Sequence, residues 1–183
     1  MAIGSALRII TTTLYLRMNE NILLIGSAGV GKTWVLKSLI NKFKCERRQK
    51  YGKFYFHTSD ALVIVGKYDG TTFEGSDRLS MSVITDLDAF LLLTENKVVI
   101  LEGDRFTNSK VIAKAKPIII KILGDGLSGR LKRGSNQTER HLKSIATRVS
   151  NIPLTDKDYI VNNSTDALEI ITKIIDGDEK INQ

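Results

Sequence analysis

The chain has 183 residues, 42% of them hydrophobic and 26% charged, which bounds it to one domain with a substantial core. Its 27 Lys and Arg against 20 Asp and Glu leave a net charge of +7, a balance that favours polyanionic partners. A single cysteine excludes an internal disulfide and points to a reducing cytoplasm; with only two histidines it disfavours zinc, and no apolar run approaches the ~18 residues of a membrane span.

Residues 1–17 read as an N-terminal extension, or as an added edge strand given the apolar, Thr-rich run at 9–16. That run lacks the basic leader and small-residue cleavage site of a signal peptide. Residues 21–25 form an apolar run ending at Gly26, the pattern of a buried strand. Residues 32–44 carry Val35, Leu36, Leu39, Ile40 and Phe43 at helical spacing. A charged connection at 45–53 leads to strand-like runs at 54–56 and 62–65, which suit either a hairpin or two separate sheet strands. A Gly- and Thr-containing loop at 67–76 precedes a helix over 79–93, and 98–101 is a second buried strand followed by Glu102-Gly103-Asp104-Arg105. A short helix at 109–115, a third apolar run at 118–123 and a Gly-rich stretch at 124–135 come next. A helix over 137–147, a short strand at 159–161 and an amphipathic helix over 165–175 capped by Ser164 or Thr165 complete the pattern, ahead of a polar tail at 177–183. Strands alternating with helices imply a mostly parallel sheet covered on both faces, with ligands at the carboxyl ends of the strands.

The chemistry centres on Gly26-Ser27-Ala28-Gly29-Val30-Gly31-Lys32-Thr33, which meets the G-x-x-x-x-G-K-[ST] pattern without gaps. Strand, Gly-rich turn and helix supply backbone N–H groups and a helix N-terminus for anionic phosphates. Lys32 is expected to neutralise the outer phosphates of ATP, and Thr33 to ligate Mg2+. Glu102, at the end of an apolar strand, is expected to hold Mg2+ through water or to act as a base, with Asp104 as the alternative. The plain reading is that acidic residues cluster at a strand end. Asn96-Lys97 lacks the Asp two residues later that a guanine-reading element needs. No second helical part with sensor residues is visible, so a GTPase and an AAA-type ATPase both fit poorly.

The stretch at 124–148 carries Arg130, Arg133 and Arg140, which suit a mobile lid that excludes water and spreads charge from a migrating phosphoryl group. A solvated basic surface loop is the competing reading. With these features the chain, from 18 to 176, resembles the P-loop kinase group that includes nucleoside monophosphate kinases. The resemblance implies an α/β, three-layer P-loop NTPase fold: a mostly parallel sheet with helices on both faces and an Arg-rich lid over about 124–148. It implies ATP and Mg2+ as cofactors, and places residues after the strand at 159–161 beside the adenine. The lid signature of adenylate kinases and the Asp-Gly-x-Gly-Lys loop of thymidylate kinases are both absent. The pattern also looks like small phage-type P-loop kinases of thymidine hypermodification. That implies ATP-dependent phosphorylation of the hydroxymethyl group of a modified pyrimidine in DNA, in the host cytoplasm.

The acceptor side is expected at 68–78, where Asp77 can accept a hydroxyl proton and Arg78 can hold an acceptor phosphate. Tyr68 or Phe73 can stack on a base, Asp69 belongs to the same polar loop, Asp60 is a rival base and Arg105 a rival phosphate clamp. Asp77 or Ser76 can equally be a helix cap. A base and cations are both present, so the residues leave a hydroxyl and a phosphate acceptor open, and the net positive charge favours a nucleotide or a nucleic acid over a small sugar. A nucleoside monophosphate kinase, a partner-stimulated ATPase and a non-catalytic nucleic-acid binder are the other readings.

Overall fold

The computed structural model describes residues 20–71, 74–132, 134 and 137–177. The extension at 1–17 and most of the tail lie outside these residues. β1 (Asn21–Gly26) runs through the middle of a seven-stranded sheet. It pairs in parallel with β5 (Val98–Glu102) on one side and β6 (Ile118–Ile122) on the other. Outward from β5 lie β4 (Leu62–Val65), β3 (Phe54–Thr58) and β2 (Gln49–Tyr51); outward from β6 lies β7 (Tyr159–Val161). The strands β4, β5, β1, β6 and β7 are parallel, and β3 is antiparallel to both its neighbours, β4 and β2.

Side chains alternate between sheet faces, so each apolar strand feeds two cores. Leu23 and Ile25 of β1 join Val63, Val99, Leu101 and Ile119 on one face. There they meet α2 (Leu87–Leu93), α3 (Ser109–Ala115) and α5 (Glu139–Ser150) through Phe90, Val111, Ile145 and Val149. Ile22 and Leu24 join Leu62, Ile64, Ile100 and Ile120 on the other, under α1 (Lys32–Lys42) and α6 (Ser164–Asp176). The protein is therefore α/β, with a mostly parallel sheet and helices on both faces. Ile22 to Ile25 are all 0% exposed. Burying each such side chain contributes roughly 1.5–3 kcal/mol, which fixes β1 and hence the loop that leaves its carboxyl end.

Several elements differ from the sequence expectation. The runs at 54–56 and 62–65 form an antiparallel pair, with Phe56 opposite Val65. Asp60 therefore sits in the turn entering β4, at the amino-terminal edge of the parallel strands, away from Gly26 and Glu102. That removes it as a rival base. The segment at 79–93 is not one helix: 3-10 turns at Ser76–Arg78 and Met81–Asp86 precede α2. Ser80 caps the second turn by accepting from the Ser82 amide, so neither Ser76 nor Asp77 has that role. α6 is capped by Asn163, which accepts from the Asp166 amide, rather than by Ser164 or Thr165. The Gly-rich stretch contains a short helix, α4 (Leu127–Lys132). Among the described residues no helix is long and apolar enough to cross a membrane.

Candidate functional site

The loop from Gly26 to Thr33 joins the carboxyl end of β1 to α1. Gly26, Gly29 and Gly31 all take positive φ, at 148°, 94° and 101°. In that region a Cβ is strained, so the loop needs glycine at these points. Gly31 precedes α1 without a side-chain cap, which leaves the first amides of the helix to other partners. Lys32 folds back along the loop and donates to the Gly26 carbonyl at 2.8 Å and the Ser27 carbonyl at 3.1 Å. Its ammonium is thus held beside the concavity formed by Ala28, Gly29 and Gly31 rather than thrown into solvent. A methyl group at Gly31 would lie 2.8 Å from the Ser164 Cβ, so the junction of β7 and α6 closes one flank of the loop.

The other flank is closed by α4. Arg130 donates to the Ala28 carbonyl at 2.8 Å and also to the Asp125 carbonyl. The backbone of Gly126 and Gly129 packs directly on Ala28 and Gly29. Arg130, expected as a cation for the migrating phosphate, fastens α4 to the loop here. α4 delivers Lys132 to the wall of the adjoining cavity instead. Arg140 is exposed on α5 and does not line that cavity, and Arg133 lies outside the described residues.

The cavity measures about 540 Å3 and opens from the loop across the carboxyl ends of β1 and β5. Thr33 and Trp34 line it from the first turn of α1; Glu102, Gly103 and Asp104 line it from the end of β5. Asp77 and Arg78 close a third side, and Ile145 and Val149 of α5 supply an apolar wall. Glu102 is 5% exposed and stands at the end of the strand beside β1. Its Oε1 accepts from the Tyr68 hydroxyl and the Ser76 amide, each at 3.3 Å. Burial pushes its carboxyl above the ordinary range against the pull of Lys32, and nearby Asp77 adds to the rise.

Asp77 is exposed as a residue and lines the cavity wall, with its carboxylate oxygen on the side of Gly103 that a Cβ would occupy. Loss of solvent around it and the negative charge of Asp104 push its carboxyl up, opposed by Lys32, Arg105 and His141. Asp104 is paired with Arg148 of α5 at 3.0 Å. Arg78 is bound through one nitrogen to both oxygens of Asp69, each at 2.7 Å, and to Thr71 at 3.0 Å. Arg48 joins the pair at 3.2 Å, and Asp69 is held down at about 2 by the Thr71 hydroxyl and by Arg78. Arg105 donates to the Asp77 carbonyl at 3.1 Å and does not line the cavity.

The expected site therefore assembles in part. The loop, Glu102, Asp104, Asp77 and Arg78 share one cavity. Tyr68 does not stack on a ligand: it is buried, its hydroxyl lies on Glu102, and its own ionisation is pushed well up by burial and that carboxylate. Phe73 lies outside the described residues. Trp34 was not expected at the site. Its place in the sequence directly after Lys32-Thr33, in the first turn of the helix that leaves the loop, is the signal that could have found it.

Thr33 and Glu102 fit a magnesium ion. Such an ion needs only one or two protein oxygens beside substrate phosphates and water, and Glu102 is a buried carboxylate with two long hydrogen bonds. Among the described residues no group of three or more His, Cys, Asp or Glu that could hold a metal ion is found. No family model matches the chain, and comparisons with curated proteins and with solved structures return no match.

Proposed function

We propose that the protein is an ATP-dependent phosphotransferase of the P-loop kinase type, acting on a nucleotide or nucleic-acid acceptor. The observation that carries this reading is the shared cavity. The glycine loop with Lys32 forms one end, Glu102 stands at the adjacent strand end, and Asp77 faces both from the side. A loop of this kind that served only as a turn would not need an uncapped helix start opening into a 540 Å3 cavity lined by carboxylates.

In this reading the amides at 28–33 and the Lys32 ammonium hold the outer phosphates of ATP. Thr33 directly, and Glu102 through water, would hold Mg2+, which draws charge from the phosphate oxygens. Tyr68 and Ser76 keep the Glu102 carboxylate aimed along β5. α4 covers the loop and keeps bulk water from the transferred group. Adenine would lie toward the β7–α6 junction, where Ser164 abuts Gly31. The net charge of +7 favours a polyanionic acceptor molecule, and the hydroxymethyl group of a modified pyrimidine in DNA is one candidate.

The test offers γ-labelled ATP with nucleotides, unmodified DNA and hydroxymethyluracil-containing DNA, and identifies products by mass spectrometry. Label on one acceptor, absent with Lys32→Ala, is the expected result. ATP consumption that yields only inorganic phosphate with every acceptor, stimulated by a protein or nucleic-acid partner, would replace this reading with that of an ATPase.

A further inference from the structure

We infer that the hairpin of β2 and β3 carries a docking surface for the phosphate backbone of a nucleic acid, centred on Tyr55 and lying outside the cavity. The surface stands on its own contacts; only its link to phosphoryl transfer rests on the phosphotransferase reading above.

β2 and β3 are joined by a tight turn at Gly52, whose φ is 54°. Lys50 is directly opposite Tyr55 in the register, so the two share one face of the hairpin. Phe54 and Phe56 alternate with Tyr55 and pack on Phe90 in the core. Tyr55 is only half-buried, and three cations surround its ring. The Lys67 ammonium lies 4.1 Å from the ring centre, the Arg48 guanidinium 5.3 Å and the Lys50 ammonium 5.6 Å.

Each cation is attracted by the ring, but the three repel one another. Arg48 has a carboxylate partner, Asp69, at 3.2 Å. Among the described residues Lys50 and Lys67 are in no ion pair. Their backbone is nevertheless fixed. Lys50 sits in β2, and Lys67 exchanges two backbone hydrogen bonds with Gly75, at 3.1 and 2.8 Å. Cations gathered in advance and left without counter-charge suit a polyanion, because each phosphate that pairs with one releases a counterion.

The surroundings of the cluster select the polyanion. A lipid surface calls for apolar side chains that insert, and the groups round this ring are charged. The cluster also leads to the cavity. Arg48 bonds Asp69, and Asp69 bonds Arg78 at 2.7 Å, which lines the cavity shared with the glycine loop. A nucleic-acid strand lying on the hairpin therefore runs to the edge of the cavity, and its nucleotides are the units that the cavity would take as acceptors.

The test follows fluorescence anisotropy of a labelled oligonucleotide titrated with the full chain, without ATP, over about 50–200 mM salt. The same sequence as single-stranded DNA, duplex DNA and RNA tells the possible sources of the backbone apart. Arg48→Gln, Lys50→Gln and Lys67→Gln together are expected to weaken binding at least about tenfold. They should also flatten the slope of log affinity against log salt by about 2 for a single strand and about 3 for a duplex, and Lys50→Gln alone by about 1. Lys110→Gln, Lys143→Gln and Lys157→Gln remove the same charge from exposed sites on other elements and are expected to do far less. Lys32→Ala is expected to bind the oligonucleotide as the wild type does, whether or not phosphoryl transfer is found. Equal loss in the two triple variants, an unchanged slope in the hairpin variants or loss of binding in Lys32→Ala would overturn the inference. So would displacement of the oligonucleotide by polyglutamate or by anionic phosphatidylserine vesicles at matched charge.

Discussion

The contact between α4 and the glycine loop is made by backbone, which gives an unusually clean perturbation. Gly129 lies inside α4, where alanine is the better helix former by about 0.8–1 kcal/mol. A methyl group there would fall 2.9 Å from the Gly29 carbonyl carbon and 3.1 Å from its Cα, and nearer still to its oxygen. Carbon atoms prefer roughly 3.5–4 Å, so the helix must retreat by about 1 Å or detach. Overpacking of this kind costs about 1–3 kcal/mol, and retreat also weakens the Arg130 bond to the Ala28 carbonyl. Set against the helix gain, Gly129→Ala should lower the free energy of undocking by about 1–2 kcal/mol. No side chain of α4 is buried, so the sheet should not feel the change. Hydrogen exchange followed by mass spectrometry is the assay. Peptides covering 26–33 and 126–132 should exchange about 5–30 times faster, with β1 and β5 unaltered. Unchanged exchange in both peptides, or equal acceleration in the central strands, would refute the docking argument.

The remaining predictions concern the cavity. Glu102 ionises in a buried place, so the fold loses stability as pH rises from the ordinary value of 4.5 through the raised one. Glu102→Gln escapes that cost, and its urea midpoint relative to wild type should climb across that window while activity is lost; a pH-independent difference contradicts this. Tyr68→Phe removes a donor to Glu102 and should cost about 0.5–1.5 kcal/mol in urea unfolding. That hydroxyl also holds the Glu102 proton affinity down, so the acid limb of any Glu102-dependent activity should move up in pH; an unmoved limb counts against the contact. Asp69→Asn releases Arg78 toward the cavity and should make nucleoside monophosphates competitive inhibitors by steady-state assay, with no inhibition as the contrary result.

The parts of the fold that were legible in the sequence are those whose burial writes a pattern. β1, β5 and β6 are continuous apolar runs because both faces of the sheet are covered, and α1 and α6 show helical spacing because one face of each is packed. β2 left no trace, since Gln49, Lys50 and Tyr51 are all exposed on the sheet edge and bury nothing. α4 was invisible for a different reason. Its glycines are there for backbone contact with Ala28 and Gly29, and glycine-rich sequence without apolar periodicity reads as loop. The break of 79–93 into 3-10 turns follows a serine cap at Ser80, which local pattern alone does not separate from a helix interior.

For the site, the glycine loop was legible because the chemistry demands residue types at fixed spacing. The acceptor side was not, because its character depends on which charges are already paired. Arg78 and Asp69 are nine residues apart and individually read as ligand-binding groups; in space one nitrogen of Arg78 binds both Asp69 oxygens. Tyr68 likewise reads as an aromatic platform until its burial beneath Glu102 makes it a support for that carboxylate. Pairing and burial are properties of the packed chain.

The central claim is that residues 26–33 hold the phosphates of ATP, and Trp34 at the end of that loop allows it to be measured directly. ATP with Mg2+ is titrated into the wild-type chain and into Lys32→Ala while Trp34 fluorescence is followed. A saturable change with ATP, much weaker with adenosine and lost or weakened at least about tenfold in Lys32→Ala, is the predicted result. No saturable change, or equal affinity in the two proteins, would contradict it.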